Sequence, residues 1–340
     1  MPRLTAPRHT VSAALEWESA IDDSVISLGW GAQRLAAAGV SGFGAIFDED
    51  GRKAASLSSH GLGATSLAWS GDGRMLATCG QDGRIEVVDS GGRPAWERET
   101  GGRWASHVAW SPVAPLLAVA ADRMVSVFRS DGALRRQEAG HPSTVSAVAW
   151  HPRRKSVAAA AYGGVRLWEI DRPAPRVFDW TGSVLALAWS PDGRYLATGD
   201  QDATVHFWIV STGRDLQMSG YEVKVRELAW DSSSRFLATG GGAELVIWDC
   251  SGKGPQGTRP LMLEGHEDLV SAVAWQPGSE LLASGGRDGA VLFWRPRVSV
   301  KPVARWASRG EVTGLTWTAD GFRIAIGDGE GRLATLRVAT

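Results

Sequence analysis

Short runs in which apolar residues alternate with small or polar ones recur along this chain, and each run ends in tryptophan. The run at residues 270–275 (VSAVAW) is one example. Alternation with a period of two predicts a β-strand whose two faces have different surroundings. A turn follows each run, most plainly at residues 190–193 (SPDG), where proline fixes φ and glycine accepts a positive φ. The pattern therefore predicts strands joined by tight turns.

Each run opens a longer unit that contains four predicted strands. The first turn leads to a second strand, as at residues 195–198 (YLAT), then to a tight turn at residues 201–203 and a third strand that ends at Trp208. A more polar fourth strand, such as residues 94–100, precedes the next unit. Four strands per unit, separated by Asp-Gly turns instead of helix caps, indicate an all-β chain.

The unit recurs eight times, and we number the copies one to eight by the anchor tryptophan that ends the first strand. The anchors are Trp30, Trp69, Trp110, Trp150, Trp189, Trp230, Trp275 and Trp317. Their successive spacings are 39, 41, 40, 39, 41, 45 and 42 residues. Repeats of this length fill the chain, so we expect one domain at residues 13–340 after an N-terminal tail at residues 1–12.

Covering both faces of such a sheet requires neighbouring sheets. Stacking similar sheets around an axis covers them, and the 17 tryptophans of the chain supply bulk for the wedges between sheets. A large two-layer sandwich would also bury tryptophans, but it gives no reason for a fixed sequence period. We therefore expect a single closed β-propeller of four-stranded antiparallel blades.

The residues that carry the repeat resemble the WD40-repeat β-propeller family over essentially the whole chain. The Gly-His pair of that family appears as Gly265-His266, its Trp-Asp pair as Trp248-Asp249, and its turn as residues 190–194 (SPDGR). Copies three and eight lack both dipeptides. The resemblance implies an assembly platform that is not an enzyme and that carries no cofactor.

The number of blades and the way the ring closes depend on the two ends of the sequence. The eighth copy ends its third strand near residues 337–338, and residues 13–19 have the pattern of a strand without a unit. We expect residues 13–19 to pair beside residues 331–338, because members of the family commonly close the ring with an N-terminal strand. Eight blades are favoured. Seven, the commoner number in the family, is the alternative, and the first copy with its short turn at residues 31–33 is the doubtful one.

A serine, a histidine and an aspartate in copy seven admit two interpretations. Together with a tryptophan they are His266, Ser284, Asp288 and Trp294. Nucleophilic catalysis uses these residue types. In the WD40 family, however, the same positions resemble a structural tetrad that is held by hydrogen bonds. Parts of the set recur elsewhere, as Thr198, Asp202 and Trp208 and as His60, Thr78 and Asp82. A catalytic set would not recur in fragments, so we expect a structural tetrad and no catalytic residue.

The spacing of the seven histidines and two cysteines matches no common metal motif. We therefore expect no metal site, although His9, His107, His151 and His206 have no position set by the repeat and a closed ring can bring distant residues together. The glycine-rich stretch at residues 39–44 lies between strands and does not precede a helix, so we expect a turn and no dinucleotide site. Residues 250–259 are expected to form an inserted loop.

Binding in this family is implied at the top face, where loops enter the first strands and turns join the second and third. The implied positions lie six and four residues before each anchor, and they are Ser24, Ile26, Gly63, Thr65, Trp104, Ser106, Thr144, Ser146, Ser183, Leu185, Lys224, Arg226, Leu269, Ser271, Glu311 and Thr313, with Gln81, Gln201 and Arg287 from the turns. The favoured partner-binding residues are Trp104, Leu185, Lys224, Arg226, Leu269, Arg287 and Glu311. Ordinary rim residues are the alternative. The cations Lys224, Arg226 and Arg287 favour a partner with an acidic segment.

The charge balance narrows the classes of partner. Lys and Arg number 36 against 37 Asp and Glu, and the formal net charge is −1, so we expect no nucleic-acid binding. No run of 18 apolar residues is present, so we expect no membrane span. The polar and basic residues 1–10 show no apolar signal region, and a cytoplasmic location is expected.

The expected function is that of a monomeric, non-catalytic protein-interaction scaffold that binds its partner at the top face or the mouth of the central channel. A propeller enzyme and a peptide or small-ligand receptor in that channel are the alternatives. The 31 arginines against 5 lysines and the absence of asparagine favour a bacterial source. The runs at residues 219–230 and 247–254 resemble proteins associated with bacterial genes for metal-handling GTPases, which implies a link to metal homeostasis.

Overall fold

The computed structural model describes residues 11–101, 103–252, 254–255 and 257–340, and every regular element within them is a β-strand. In chain order the strands are β1 (Ser12–Ala20), β2 (Val25–Trp30), β3 (Leu35–Gly39), β4 (Gly44–Phe47), β5 (Lys53–Leu57), β6 (Ala64–Trp69), β7 (Met75–Gly80), β8 (Arg84–Asp89), β9 (Pro94–Glu99), β10 (Ala105–Trp110), β11 (Leu116–Ala121), β12 (Met124–Arg129), β13 (Leu134–Glu138), β14 (Ala147–Trp150), β15 (Ser156–Glu169), β16 (Arg176–Trp189), β17 (Tyr195–Asp200), β18 (Val205–Ile209), β19 (Arg214–Met218), β20 (Leu228–Trp230), β21 (Phe236–Thr239), β22 (Leu245–Asp249), β23 (Leu261–Leu263), β24 (Val270–Trp275), β25 (Leu282–Gly286), β26 (Ala290–Trp294), β27 (Ala304–Ala307), β28 (Val312–Trp317), β29 (Arg323–Asp328) and β30 (Arg332–Ala339). None of these residues forms a helix that could cross a bilayer. Most of the expected tail, residues 1–10, lies outside the described residues.

Burial decreases from the middle strands of each sheet to its outer strand. The second strands β11 and β17 are buried at every residue, because both of their faces pack against neighbouring sheets. The fourth strand β9 (PAWERE) is exposed at all positions but one. Apolar clusters therefore lie between copies; one of them joins Ala238 and Leu245 of copy six to Val270 and Trp275 of copy seven.

The described strands form seven hydrogen-bonded sheets, each of which we call a blade. The favoured count of eight blades is therefore wrong, and the alternative count of seven is observed. Six blades have four strands, and one has the six strands β14 to β19, which contain copies four and five. The two copies merge because β15 and β16 are each 14 residues long and continue through segments that are loops in other copies. Residues 180–183 (WTGS) stand there in place of a Gly-His loop.

The N-terminal strand belongs to the same blade as the last three strands. β1 pairs antiparallel with β30, from Ser12 opposite Ala339 to Ala20 opposite Arg332. The carboxylate of Glu16 accepts hydrogen bonds from Arg323 Nε at 2.6 Å and from Arg337 Nη1 at 3.3 Å. The ring closes where this blade meets copy one, since Val25 and Leu35 share an apolar cluster with Ala325 and Leu333.

The anchor tryptophans hold neighbouring copies together by hydrogen bonds as well as by bulk. In six copies the indole Nε1 donates to a backbone carbonyl in the first strand of the preceding copy. The pairs are Trp69 to Gly29 (2.9 Å), Trp150 to Ala109 (2.8 Å), Trp189 to Ala149 (3.3 Å), Trp230 to Ala188 (3.2 Å), Trp275 to Ala229 (3.1 Å) and Trp317 to Ala274 (3.1 Å). The indole nitrogens of Trp30 and Trp110 are buried without a partner among the described residues. A tryptophan at this position therefore has a role that another large apolar residue could not fill.

Candidate functional site

The four side chains of copy seven lie in one hydrogen-bonded network. His266 Nδ1 is 3.1 Å from Asp288 Oδ1, and His266 Nε2 is 2.7 Å from Ser284 Oγ. Trp294 Nε1 donates to the same Ser284 oxygen at 2.8 Å. Burial lowers the pKa of His266, although its contact with Asp288 acts in the opposite sense. Ser284 is fully buried, so no substrate can reach its hydroxyl, and the geometry favours the structural interpretation over catalysis.

Two other copies have related networks. In copy two, His60 Nδ1 lies 3.0 Å from Asp82 Oδ1, and His60 Nε2 lies 3.0 Å from Thr78 Oγ1. In copy six a tyrosine, Tyr221, takes the place of the histidine. Its hydroxyl accepts from Trp248 Nε1 at 2.8 Å and lies 3.0 Å from Thr239 Oγ1. Tyr221 stands nine residues before its anchor, as His60 and His266 do, so the sequence contained the signal that would have identified it.

Copy five differs from the expected pairing of Thr198 with Asp202. Thr198 Oγ1 donates instead to Asp200 Oδ2 at 3.1 Å, whereas Asp202 accepts from Thr204 Oγ1 at 2.8 Å. Trp180 stands nine residues before the anchor, where copies two and seven have histidine. A large ring at this position leaves no room for the usual network, and the polar groups of the copy are rearranged around it.

The rearranged polar groups of copy five include a buried acid. Asp200 is fully buried, and this burial raises its pKa to about 7, although His206 acts in the opposite sense. The His206 ring lies 3.8 Å from the Trp180 ring, and its Nδ1 is 2.7 Å from Asp215 Oδ2. Asp200 Oδ1 and His206 Nε2 are buried without a partner among the described residues.

The remaining histidines and cysteines do not converge. Within the described ranges no group of three or more His, Cys, Asp or Glu side chains is placed to hold a metal ion. His9 lies outside these ranges. Burial lowers the pKa of His107 and His151 and raises the pKa of the Cys79 thiol to about 12. Both cysteines are buried and free, which disfavours the thiolate needed for metal binding.

Backbone hydrogen bonds define the rim of the top face. In several copies the turn between the second and third strands donates to the residue six positions before the anchor. The bonds include Gln81 to Gly63 (2.8 Å), Gln201 to Ser183 (3.0 Å), Arg287 to Leu269 (2.9 Å) and Gly329 to Glu311 (2.9 Å). The entering loops and these turns therefore form one continuous surface, which we call the top face.

Four hydroxyls that were grouped with the top face join copies to one another. Each lies four residues before its anchor and donates to a carbonyl of the next copy. The bonds are Thr65 to Ala105 (2.6 Å), Ser106 to Val145 (3.1 Å), Ser146 to Val184 (2.5 Å) and Ser271 to Val312 (2.5 Å). These side chains are committed to the ring, so they are less suited to bind a partner than the sequence implied.

A central cavity of about 740 Å³ opens at the top face, between copies six, seven, eight and one. Three of the favoured partner-binding residues line it: Arg226, Arg287 and Glu311. The other four, Trp104, Leu185, Lys224 and Leu269, do not line it. Within the described part of the chain, no hydrogen bond or ion pair holds either guanidinium group.

Glu227 is the residue of this cavity that the sequence interpretation missed. Burial raises the pKa of its carboxyl group, and the nearby Arg226 and Arg287 lower it to a smaller extent. Its Oε2 accepts a hydrogen bond from the backbone nitrogen of Arg226 at 3.3 Å. The cavity therefore presents two guanidinium groups and the carboxylates of Glu227 and Glu311, and is not simply basic.

Exposed apolar side chains form a second feature of the top face, on copies one to four. We call this set the apolar arc, and its members with their exposed fractions are Val40 (47%), Phe43 (58%), Leu62 (68%), Trp104 (61%) and Tyr162 (49%). The segments of neighbouring copies are in contact. His60 N donates to Gly42 O at 3.1 Å between copies two and one, and Val145 N donates to Asp122 O at 2.7 Å between copies four and three. Only Trp104 was identified from the sequence. Phe43 and Leu62 stand in glycine-rich turns (SGFG, HGLG), and Val40 directly precedes the first of them, whereas Tyr162 lies in β15 before two glycines. An apolar residue in such a segment has no core to enter.

A family model described as WD domain, G-beta repeat matches residues 51–89, 132–169, 175–208, 214–249 and 257–295, together more than half of the chain. The chain belongs to the WD40 repeat family. The resemblance drawn from the Gly-His and Trp-Asp pairs is confirmed. The five matched segments include copies two, four, five, six and seven, whereas copies three and eight, which lack both dipeptides, lie outside or at the edges of the matches.

Two curated relatives are similar over part of this WD40 chain. The guanine nucleotide-binding protein subunit beta-like protein of Encephalitozoon cuniculi is 24% identical over 159 residues, 38% of this chain and 48% of that protein. The WD repeat-containing protein VIP3 of Arabidopsis thaliana is 34% identical over 105 residues, 26% of this chain and 33% of that protein. The chain thus spans less than half the length of either relative.

Solved structures show similarity of fold over nearly the whole chain. Sqt1 of Chaetomium thermophilum superposes with a TM-score of 0.83 at 19% identity and covers 96% of this chain and 98% of that one. Sqt1 of Saccharomyces cerevisiae gives 0.80 at 13% identity, covering 97% of this chain and 100% of that one. The computationally designed Ika8 protein gives 0.81 at 19% identity, covering 96% and 100%. Identities this low show the shared fold alone.

Proposed function

We propose that this WD40 propeller is a non-catalytic interaction scaffold that binds a partner protein across its top face. The observation that carries the proposal is the apolar arc, which exposes Phe43, Trp104 and Tyr162 on one face of copies one to four. A group of exposed aromatic side chains on a rigid surface is more often an interaction site than a surface without a function. Members of the family generally bind other proteins, and the arrangement here agrees with that role.

The apolar arc and the central cavity divide the proposed surface into two parts. Aromatic side chains are frequent hot spots, and each contributes about 2 kcal/mol or more when a partner buries it. Arg226 and Arg287 add donors for an acidic residue of the partner. The carboxylates of Glu227 and Glu311 beside them reduce long-range attraction, so we expect affinity to depend on contacts more than on steering. The propeller is proposed to act as a monomer in the cytoplasm, without a nucleic-acid partner.

The test compares two phenylalanines with the same exposed fraction on opposite faces. Phe43 lies in the apolar arc and Phe322 in the turn after Trp317, at the other end of the strands, and each is 58% exposed. Tagged wild-type protein, Phe43→Ala with Trp104→Ala, and Phe322→Ala would be purified from the native organism after cross-linking and compared by quantitative mass spectrometry. We expect the amount of the main co-purifying protein recovered with the variant Phe43→Ala, Trp104→Ala to be at least tenfold lower than with the wild type. The amount recovered with Phe322→Ala should be unchanged.

Equal recovery of that protein by all three forms would reject the top face as the binding surface.

A second candidate function, a receptor for a peptide or small ligand, is favoured by the cavity of about 740 Å³. A thermal-shift screen of metabolites on the wild type and on Arg226→Ala would separate the two, since a channel ligand should raise the Tm of the wild type alone. The proposed link to metal homeostasis is tested by the same screen with metal ions.

A further inference from the structure

The cavity at the top face differs from the rest of the ring in how its first strand is built. Copy six has Arg226 four residues before its anchor, where copies two, three, four and seven have a hydroxyl that bonds the next copy. Its first strand, β20, has only three residues and is the shortest first strand among the described copies. Arg226 and Glu227 thus precede the strand and line the cavity, and among the residues that the structure describes the Arg226 side chain makes no bond to the next copy.

Arg287 adds a second cation from the neighbouring copy. It lies in the turn of copy seven, and its backbone nitrogen is held by the carbonyl of Leu269 at 2.9 Å, so the turn is fixed while the side chain remains exposed. Both arginines line the same cavity as Glu227, and within the described residues neither guanidinium group makes a hydrogen bond or an ion pair. Two guanidinium groups so placed supply paired donors for a single carboxylate.

Copy one supplies apolar side chains to the cavity. Ile26 and Val40 of copy one line it and are 46% and 47% exposed, and Val40 is also a member of the apolar arc. A ligand that enters the cavity therefore meets both guanidinium donors and aliphatic side chains. Exposed apolar groups at a cavity mouth are favourable contacts only for a ligand that covers them.

The carboxylates in the cavity limit the charge that a ligand can bring. Glu227 and Glu311 line the same space as the two arginines, so the four groups carry no net charge when all are ionised. Because these four charges cancel, a doubly charged phosphate gains no more net attraction than a singly charged carboxylate, and its desolvation costs more. The arrangement therefore fits one carboxylate better than a phosphate.

We propose that the cavity binds a partner segment in which one carboxylate lies next to an apolar side chain. The carboxylate bonds to Arg226 and Arg287, and the apolar side chain packs on Ile26 and Val40. The carboxylate belongs either to an Asp or Glu side chain or to the C-terminus of the segment. This inference rests on the proposed function, because it describes how a partner enters the same face.

The experiment uses a phage-displayed library of random 12-residue peptides. Selection on the wild type is run beside selection on the double variant Arg226→Ala, Arg287→Ala. The control variant is Arg154→Ala, an exposed arginine in the turn that follows Trp150, at the other end of the strands. We expect peptides from the wild type and the control to share an acidic residue beside an apolar one, and peptides from the double variant to lack the acidic residue.

The best peptide is then synthesised with the acid kept or changed to its amide, and with a free or amidated C-terminus. Titration calorimetry should show about a tenfold loss of affinity, or about 1.4 kcal/mol, when the recognised carboxylate is removed. Removal of the same carboxylate should reduce the affinity of the peptide for the double variant by less than twofold. Whichever group causes the loss, side chain or C-terminus, identifies the source of the carboxylate.

Three results would overturn the inference, and they bear differently on the proposed function. Peptides that bind the wild type without an acidic preference, or whose amide variants lose equal affinity on both proteins, reject the carboxylate site and leave the interaction surface intact. Failure to enrich any peptide on the wild type rejects the site and also weakens the proposal of a top-face interaction surface. Peptides that bind the double variant as tightly as the wild type reject the two arginines as the contact.

Discussion

The buried carboxyl group of Asp200 should make the stability of this propeller fall as the pH rises. Its pKa lies near 7 in the folded protein against an ordinary value of 3.8, because burial disfavours the charged form. A folded state with the higher pKa binds more protons, so the contribution to stability is complete below pH 3.8 and is lost as the pH rises through 7. His206 and Asp202 are the titratable groups that act on this carboxyl group.

The size of the effect follows from the shift. A difference of about 3 pKa units corresponds to about 4 kcal/mol, which is a large part of the stability of an ordinary domain. Asp200→Asn keeps an oxygen that can accept from Thr198 and removes the ionisation. We therefore expect the free energy of unfolding of the variant, relative to that of the wild type, to rise by about 4 kcal/mol between pH 4 and pH 8. Above pH 8 this difference should stay constant.

Urea unfolding followed by tryptophan fluorescence and far-ultraviolet circular dichroism measures this difference at each pH. Asp202→Asn serves as the control, because Asp202 is an exposed carboxylate two residues away in the same turn. A difference between wild type and Asp200→Asn that stays constant from pH 4 to pH 8 would contradict the assigned pKa. The same pH dependence in the Asp202 variant would show that the loss of a charge in this turn, and not burial, is responsible.

Two further predictions concern the hydrogen bonds that hold the ring. Ser284→Ala leaves the indole of Trp294 and one nitrogen of His266 without a buried partner, so the free energy of unfolding should fall by about 2 to 3 kcal/mol, against no change for the exposed Ser211→Ala. Trp275→Phe removes a hydrogen bond between copies, whereas Trp110→Phe removes an indole nitrogen that has no partner among the described residues, and both tryptophans are 9% exposed. In urea unfolding, Trp275→Phe should therefore lower the free energy of unfolding by about 1 kcal/mol more than Trp110→Phe. Equal costs for the two tryptophan variants would count against the hydrogen bond as the reason for tryptophan at the anchor.

The repeat and the β-propeller could be predicted because their causes are local in sequence. Alternation, turn residues and the fixed spacing of the anchors each depend on a few neighbouring residues, and the copies reinforce one another. The number of blades depends instead on whether residues 162–164 and 180–183 form loops or continue the strands. The eight units of the sequence pattern predicted eight blades, and this was wrong because the hydrogen bonding of copies four and five continues without a break.

Side-chain partners were predictable where the copies agree and not where they differ. The set of His266, Ser284, Asp288 and Trp294 could be identified because each residue has its expected neighbour. In copy five the substitution of Trp180 for histidine rearranges the partners, and Asp200 replaces Asp202 as the acceptor from Thr198. Whether Asp200 or Asp202 is buried depends on how the Trp180 ring packs, and residue spacing alone does not predict that packing.

The position four residues before the anchor shows how the ring can vary where a partner is proposed to bind. Between copies six and seven, the bond that a hydroxyl would make is absent, because Arg226 occupies the position. This junction is held at both ends of the strands: Trp275 donates to Ala229 at 3.1 Å and Gly278 N donates to Ser232 Oγ at 2.9 Å at the anchor end, and Val270 N donates to Gly242 O at 2.9 Å at the entering end. Since these bonds position the strands without a side chain four residues before the anchor of copy six, that position can carry a charged residue. A change at this position can therefore alter the proposed binding surface while the other bonds of the junction maintain the architecture.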